Sequence, residues 1–251
     1  MSRAKIVSLA KVTLFFSLSA CSIIKANPAP HSGFLPHAEF LKPLPERSPF
    51  NAVWYKDRSA FYELKKGFTN IYIAPVNTVI LEAKLRKERL SKSSLEYRIE
   101  ELKEFGRYAE TRLKERIKDF PQTNITVVSA PGPKTLVLEM ALVELSPTIA
   151  AVNLLGTISS FFIPGSGLVK SLAKGSIAME TIIRNGENNE ILVEVKDREI
   201  DKSAPFTIRD FAKYAHARKI IDEWAEIFAE LSATDYNHKV DGLLPITINP
   251  L

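Results

Sequence analysis

The sequence predicts an α+β fold: a mixed, mainly antiparallel sheet of about five strands backed by two long amphipathic helices. Three observations predict it. Two stretches, 93–120 and 207–232, repeat apolar residues at helical spacing. Five shorter stretches alternate apolar and polar residues, as half-buried strands do. Their order along the chain, β-α-β-β-β-β-α, suits one sheet covered by helices. With 45% hydrophobic residues over 251 positions, the chain can bury a core.

Taken in order, residues 33–69 are rich in proline and aromatics and lack periodicity, so they read as an irregular lead-in that packs Phe34, Trp54 and Phe61 onto the core. Asn70 to Val76 alternates with Ile71 and Ile73 on one face, a strand. From 93 to 120, Leu95, Ile99, Leu102, Ala109, Leu113, Ile117 and Phe120 form a helical stripe. Ser93 and Glu96 suit a capping box, and Pro121 stops the helix. Strands follow at 124–129 and 135–145, separated by Pro131-Gly132-Pro133. Stretches 177–184 and 190–199 flank Asn185-Gly186 and predict a hairpin. The register that joins apolar residues pairs Ile177, Met179, Thr181 and Ile183 with Asp197, Val195, Val193 and Ile191. Glu180 then faces Glu194. The closing helix, 207–232, takes Thr207 as N-cap and turns Ile208, Phe211, Ala215, Ile221, Trp224, Phe228 and Leu231 inward.

Charge limits the partners. The formal charge is +5, but Arg3, Lys5 and Lys11 lie in the first twenty residues, which contain no acid. The remainder carries 31 basic against 29 acidic residues, too balanced for a nucleic-acid surface, so no nucleic-acid partner is expected.

The single cysteine, Cys21, excludes an intramolecular disulfide. It follows three cations, the short apolar run VTLFFSL at 12–18, and small residues. That order is a secretory signal peptide, and its apolar part is too short to remain as a spanning helix. Leu18, Ser19, Ala20 and Cys21 resemble the bacterial lipobox, which implies a diacylglycerol on the Cys21 sulfur and cleavage before that residue. In lipoproteins of two-membrane bacteria, Ser22 in place of Asp implies the outer membrane. The expected organisation is a leader at 1–20, a lipidated tether at 21–32 broken by Pro28 and Pro30, and one periplasmic domain at 33–251. Acyl chains contribute about 0.8 kcal/mol per buried methylene, enough when several are attached to hold such a domain on a membrane.

SGFLPHAEFLKPLPE and VWYKDRSAFYELKKGFTNIYIAPV, followed by LVLEMALVELSPT, an apolar connector and GSIAMETII, are similar to the bacterial lipoprotein family catalogued as domain of unknown function 3313. The similarity spans roughly residues 32 to 232. It implies an exported, lipidated α/β domain, and supplies neither a substrate nor catalytic residues.

Chemical motifs are sparse. FIPGSGLVKS at 162–171 imitates a phosphate loop, but Val169 stands where glycine must precede the lysine. No G-x-S-x-G, H-E-x-x-H or C-x-x-C occurs. His31, His37, His216 and His238 lack ligand spacing and read as ordinary surface or tail histidines. Neither a metal nor another cofactor is expected. Glu180 and Glu194 could share a proton for acid/base work, but on a polar face with Lys196 diagonal to them they read as solvated. Residues 148–169 carry no charge and break at Pro164 after about fifteen apolar residues, short of a membrane span. They read either as an element buried on the sheet or as an exposed surface, centred on Leu154, Leu155, Phe161 and Phe162, for a partner, for self-association or for lipid.

The function expected is a lipid-anchored envelope protein with a non-enzymatic binding or scaffolding domain. An envelope hydrolase working through acidic residues, and a membrane-inserting or self-assembling protein working through 148–169, are the alternatives.

Overall fold

A computed structural model of the chain describes residues 28–43, 48–146, 175–200, 214–234 and 240. Among the described residues there are six strands, β1 (Ala52–Tyr55), β2 (Asn70–Ile73), β3 (Thr126–Val128), β4 (Thr135–Ser146), β5 (Ser176–Asn185) and β6 (Ile191–Ile200). They form one sheet in the order β1-β6-β5-β4-β2-β3. The β1–β6, β6–β5 and β5–β4 ladders are antiparallel, whereas β2 runs parallel to β4 and β3. The fold is α+β with a mixed, mainly antiparallel sheet, as the periodicities predict.

The α-helices among the described residues are α1 (Arg58–Lys65), α2 (Val79–Leu85), α3 (Lys92–Asp119) and α4 (Ala215–Ala233). The stripe of α3 buries Ile99, Leu102, Phe105, Ala109, Leu113 and Ile117, and α4 buries Ile220, Ile221, Trp224 and Phe228. Both stripes meet Leu138, Met140, Leu142, Ile177, Met179, Val193 and Val195 in one core. Each fully buried side chain of this size contributes about 1.5–3 kcal/mol. Between the helices, Asp222 of α4 accepts from the Tyr108 hydroxyl (2.9 Å) and from Arg112 Nε (2.6 Å) of α3.

Several boundaries differ from the sequence reading. The cap of α3 is Ser91, whose Oγ accepts from Ser94 N (3.2 Å); the Ser93–Glu96 box does not form, because Ser93 already lies inside the helix. Helix α4 begins at Ala215 with Tyr214 at its N-cap, not at Thr207; Thr207, Ile208 and Phe211 lie outside the described residues. The lead-in is more regular than expected. It contains β1 and α1, the latter capped by Asp57 Oδ1 on Ala60 N (2.8 Å), and α2 follows β2.

The hairpin register is two residues away from the apolar pairing. Glu180 stands opposite Lys196, and Glu194 opposite Ile182. The cause is local. Asn189 adopts a left-handed conformation (φ 59°), Asn185 N donates to Glu190 O, and a bulge at Ile183/Arg184 sets Arg184 against Ile191. An even slip leaves every side chain on its original face.

Candidate functional site

Alternate residues of β4, β5 and β6 turn away from the helices, and seven of them are ionic: Glu139, Glu144, Glu180, Arg184, Glu194, Lys196 and Arg198. A bulge between Leu142 and Glu144 lets Val143 and Glu144 both face this side. The sequence reading expects a solvated face. Instead, Glu180 is 1% exposed, Glu194 0%, Arg198 6% and Lys196 9%. Over Glu180, Glu194 and Lys196 the chain's own residues 28–43 are laid across the sheet as a strap.

The strap is seated by side-chain size at one end and by hydrogen bonds along its length. Ala29 packs with Ala141, Val143 and Ala178, bordered by Phe34 and Ile80; small side chains on both partners let the strap backbone approach the sheet. Lys196 Nζ donates to Ala29 O (3.3 Å). Ser32 gives Glu180 two hydrogen bonds, from its backbone N to Oε1 (3.2 Å) and from its Oγ to Oε2, and its Oγ accepts from Phe34 N (3.1 Å). Five residues on, His37 N donates to both Glu194 oxygens (3.0 and 3.3 Å), and His37 Nδ1 lies 2.7 Å from Oε1. The imidazole stacks on Trp54 of β1, with centroids 3.9 Å apart and planes at 10°. Beyond the short 3-10 turn Ala38–Phe40, Lys42 exchanges two 3.0 Å backbone hydrogen bonds with Val53, so the strap ends as an extension of the sheet edge.

The surrounding charges are paired. Glu144 accepts from Arg198 Nε and Nη2 at 2.7–3.1 Å and from Ser176 Oγ, and Arg184 Nε donates to Glu139 at 2.9 Å. Lys84 of α2 donates to Val143 O (2.7 Å). Burial holds the Lys84 and Lys196 ammonium groups below the usual lysine pKa; Glu144 and Glu180 oppose that shift at Lys84, and Glu180 opposes it at Lys196. The whole arrangement holds a main chain, since its two carboxylates meet the N–H groups of Ser32 and His37 and its lysine meets the carbonyl of Ala29. The Glu180–Glu194 dyad considered for acid/base work does not form: the two carboxylates are not cross-strand partners, and each takes its hydrogen bonds from a different strap residue.

Of the histidines, His37 is therefore a strap residue rather than an ordinary surface histidine. His216 is buried, with its ring over Gly175, where an added Cβ would lie 2.2 Å away. His31 is exposed and His238 lies outside the described residues. Leu18, Ser19, Ala20 and Cys21, the surface residues Leu154, Leu155, Phe161 and Phe162, and Val169 also lie outside them. Among the described residues, no group of three His, Cys, Asp or Glu side chains is placed to hold a metal ion, and no helix is long and apolar enough to cross a membrane.

Sequence reasoning missed Ser32, His37 and Arg198 as site residues. The alternation of charged residues along β6 at 194, 196 and 198 marks one face of the hairpin but does not say what covers it.

No curated protein matches the chain. Two solved structures share part of its outline. One is the PelC dodecamer from Paraburkholderia phytofirmans, with 9% identity, TM-score 0.34, and coverage of 67% of this chain and 91% of that one. The other is a point variant of the same dodecamer, with 8% identity, TM-score 0.33 and the same coverage. A likeness of that size carries no functional information. The family model described as "Protein of unknown function (DUF3313)" matches residues 30–228, and the chain belongs to that family.

Proposed function

We propose that this protein is a lipoprotein of the bacterial cell envelope, held in the outer membrane by acyl chains on Cys21, whose periplasmic domain binds or scaffolds other envelope components without catalysing a reaction. The observation that carries this reading is the strap. The chain downstream of Cys21 is fastened from Ala29 onward to buried groups of the sheet. Seven residues then separate acylated Cys21 from Ala29, a reach of at most about 28 Å. A short, firmly seated link suits a domain kept beside a membrane. The motif order at 1–21 supplies the anchor, and the engagement of Glu180 and Glu194 by the strap argues against their use as hydrolytic groups.

Mass spectrometry of the protein from its bacterial host tests this: the mature N-terminus is expected to be acylated Cys21, and Cys21→Ser to move the protein out of the membrane fraction. An intact leader with a free thiol would overturn it. For the binding role, Leu155→Asp with Phe162→Asp separates two cases: a folded monomer that loses its envelope partner supports an exposed interface at 148–169, and unfolding shows those residues to be core. Hydrolytic activity abolished by Glu180→Gln would replace this reading with the enzyme.

A further inference from the structure

We infer that the groove between α1, the approach to β3 and the end of α4 binds an uncharged saccharide, with the Tyr62 and Phe68 rings against the C–H faces of the sugar and Ser59 and Asn124 meeting its hydroxyl groups. The inference gives a ligand class to the binding role proposed above and in that respect rests on it, but it needs nothing of the anchor.

The groove exists because α1 does not pack. Asp57 caps the helix, yet none of its residues is buried. Ser59, Tyr62, Glu63 and Lys66 share one face at helical spacing, and they line a cavity of about 640 Å³ instead of meeting the core. That volume falls within the roughly 300–1,000 Å³ of small-molecule sites. Asn124 and Ile125, just ahead of β3, and the last turn of α4 complete the lining. Lys65 ties α1 to α4: its Nζ donates to Leu231 O (2.5 Å) and to Thr234 O. The opening is thus set by the folded chain before any ligand arrives.

The lining selects first by charge. Lys65 is committed to the two carbonyls, and Lys66 Nζ lies 2.8 Å from both Glu63 oxygens. Both lysines being engaged, an anion finds no ammonium of its own, while two ammonium groups against one carboxylate oppose a cation. The remaining surface is uncharged and two-sided. Tyr62 is held in place by Tyr55 (centroids 6.4 Å apart) and by Phe61 edge-on (5.4 Å, 76°), and Phe68 and the buried Ile125 add to the apolar part. The Ser59 hydroxyl and the Asn124 amide, which have no side-chain partner among the described residues, supply the polar part. A wholly apolar ligand would strip water from those two groups without replacing it, at about 1–3 kcal/mol for each. A sugar ring satisfies both parts. Its C–H faces are weakly positive toward the negative faces of aromatic rings, and its rim carries hydroxyl groups that donate and accept.

The test uses the full-length protein in a detergent without a sugar headgroup, with maltotriose, cellotriose and chitotriose as probes. Saturation-transfer NMR from the protein's aromatic protons is expected to mark the C–H protons of at least one of them, and titration calorimetry to give the same Kd at low and high salt. Ser59 and Asn124 are exposed, so their substitution leaves the core alone. Ser59→Tyr, which fills the groove, should weaken that binding at least about tenfold and Asn124→Ala about threefold or more, both with an unchanged urea midpoint; Tyr97→Ala on α3 should leave it unaltered. Binding of none of the three sugars, or binding that survives Ser59→Tyr, overturns the inference and leaves the anchor standing. Inorganic phosphate or spermidine that binds and is lost in Ser59→Tyr overturns it too, by showing an ionic site. A free thiol at Cys21 with saccharide binding intact overturns the anchor alone.

Discussion

Replacing His37 by alanine isolates the attachment of the strap, because the side chain lies at the surface of the assembly and its backbone N–H remains. The imidazole contributes a hydrogen bond to a fully buried carboxylate at 2.7 Å and a parallel stack on Trp54 at 3.9 Å. A hydrogen bond to a charged group contributes about 1.5–3 kcal/mol and an aromatic stack about 0.5–1.5 kcal/mol. The His37 side chain is 35% exposed, so water competes for both, and the lower part of the combined range, about 2–3 kcal/mol, applies. If the strap opens as a unit, its opening equilibrium rises roughly 30- to 150-fold.

Native-state amide exchange reads this directly. The Ser32, Phe34 and His37 amides, all bonded within the strap site, should exchange faster by that factor. Leu142 N, bonded to Asn77 O in the core, should not change. Trp54 should show altered emission on losing its stacked partner. Acceleration of less than about threefold at Ser32 and Phe34 would show that the backbone contacts alone hold the strap. Equal acceleration at Leu142 would show that strap and core unfold as one unit.

Gly175→Ala puts a methyl group 2.2 Å from the His216 ring and should cost about 1–3 kcal/mol in a urea titration; His216→Ala in the same chain should recover most of it, giving a strongly non-additive cycle. Trp224→Phe removes the Nε1 donor from the buried Asp197 carboxylate (2.9 Å) and empties part of the core, so a loss of about 2–4 kcal/mol is expected from the same titration. Burial pushes the Tyr214 phenol well above its ordinary value of 10.0. The folded state keeps that proton after the unfolded state has released it, so this contribution is complete below pH 10 and is lost as pH rises further. Alkaline unfolding followed by circular dichroism should move to higher pH in Tyr214→Phe.

The long helix and the hairpin strands were legible because burial imposes a period. Ile99, Leu102, Leu113 and Ile117 mark α3 at 3.6 residues per turn, and Ile177 and Met179 mark β5 at two. Helix α1 gave no such signal, since it buries none of its residues and only Phe61 leans on the core. Four residues among prolines and aromatics were too few to reveal β1. The hairpin faces were read correctly and its register was not. Alternation is unchanged by a slip of two, and the left-handed Asn189 and the bulge before Arg184 leave no periodic trace. The strap was illegible for a deeper reason. Its partners are carboxylates and a lysine, which in a sequence look the same whether water or a main chain solvates them.

That choice of partners has a consequence for how the strap is placed on the sheet. Burying charge is costly, and a charged pair seldom stabilises more than apolar side chains of the same volume would. What ionic partners supply here is register. Glu180 and Glu194 demand N–H donors five residues apart, and the strap offers them at Ser32 and His37. Sliding the strap by one residue in one direction brings Pro36, which has no N–H, under the fully buried Glu194. Sliding it the other way presents Ala38, without an imidazole, to Glu194 and Gly33, without a hydroxyl, to Glu180. Either slip leaves a buried carboxylate short of donors, at about 1–3 kcal/mol or more for each lost partner. An apolar strap face would accept both slips, because one methyl group replaces another at little cost. Fixed register also fixes how many residues lie between Cys21 and the point where the chain meets the sheet, through the pairing of two carboxylates with two strap residues.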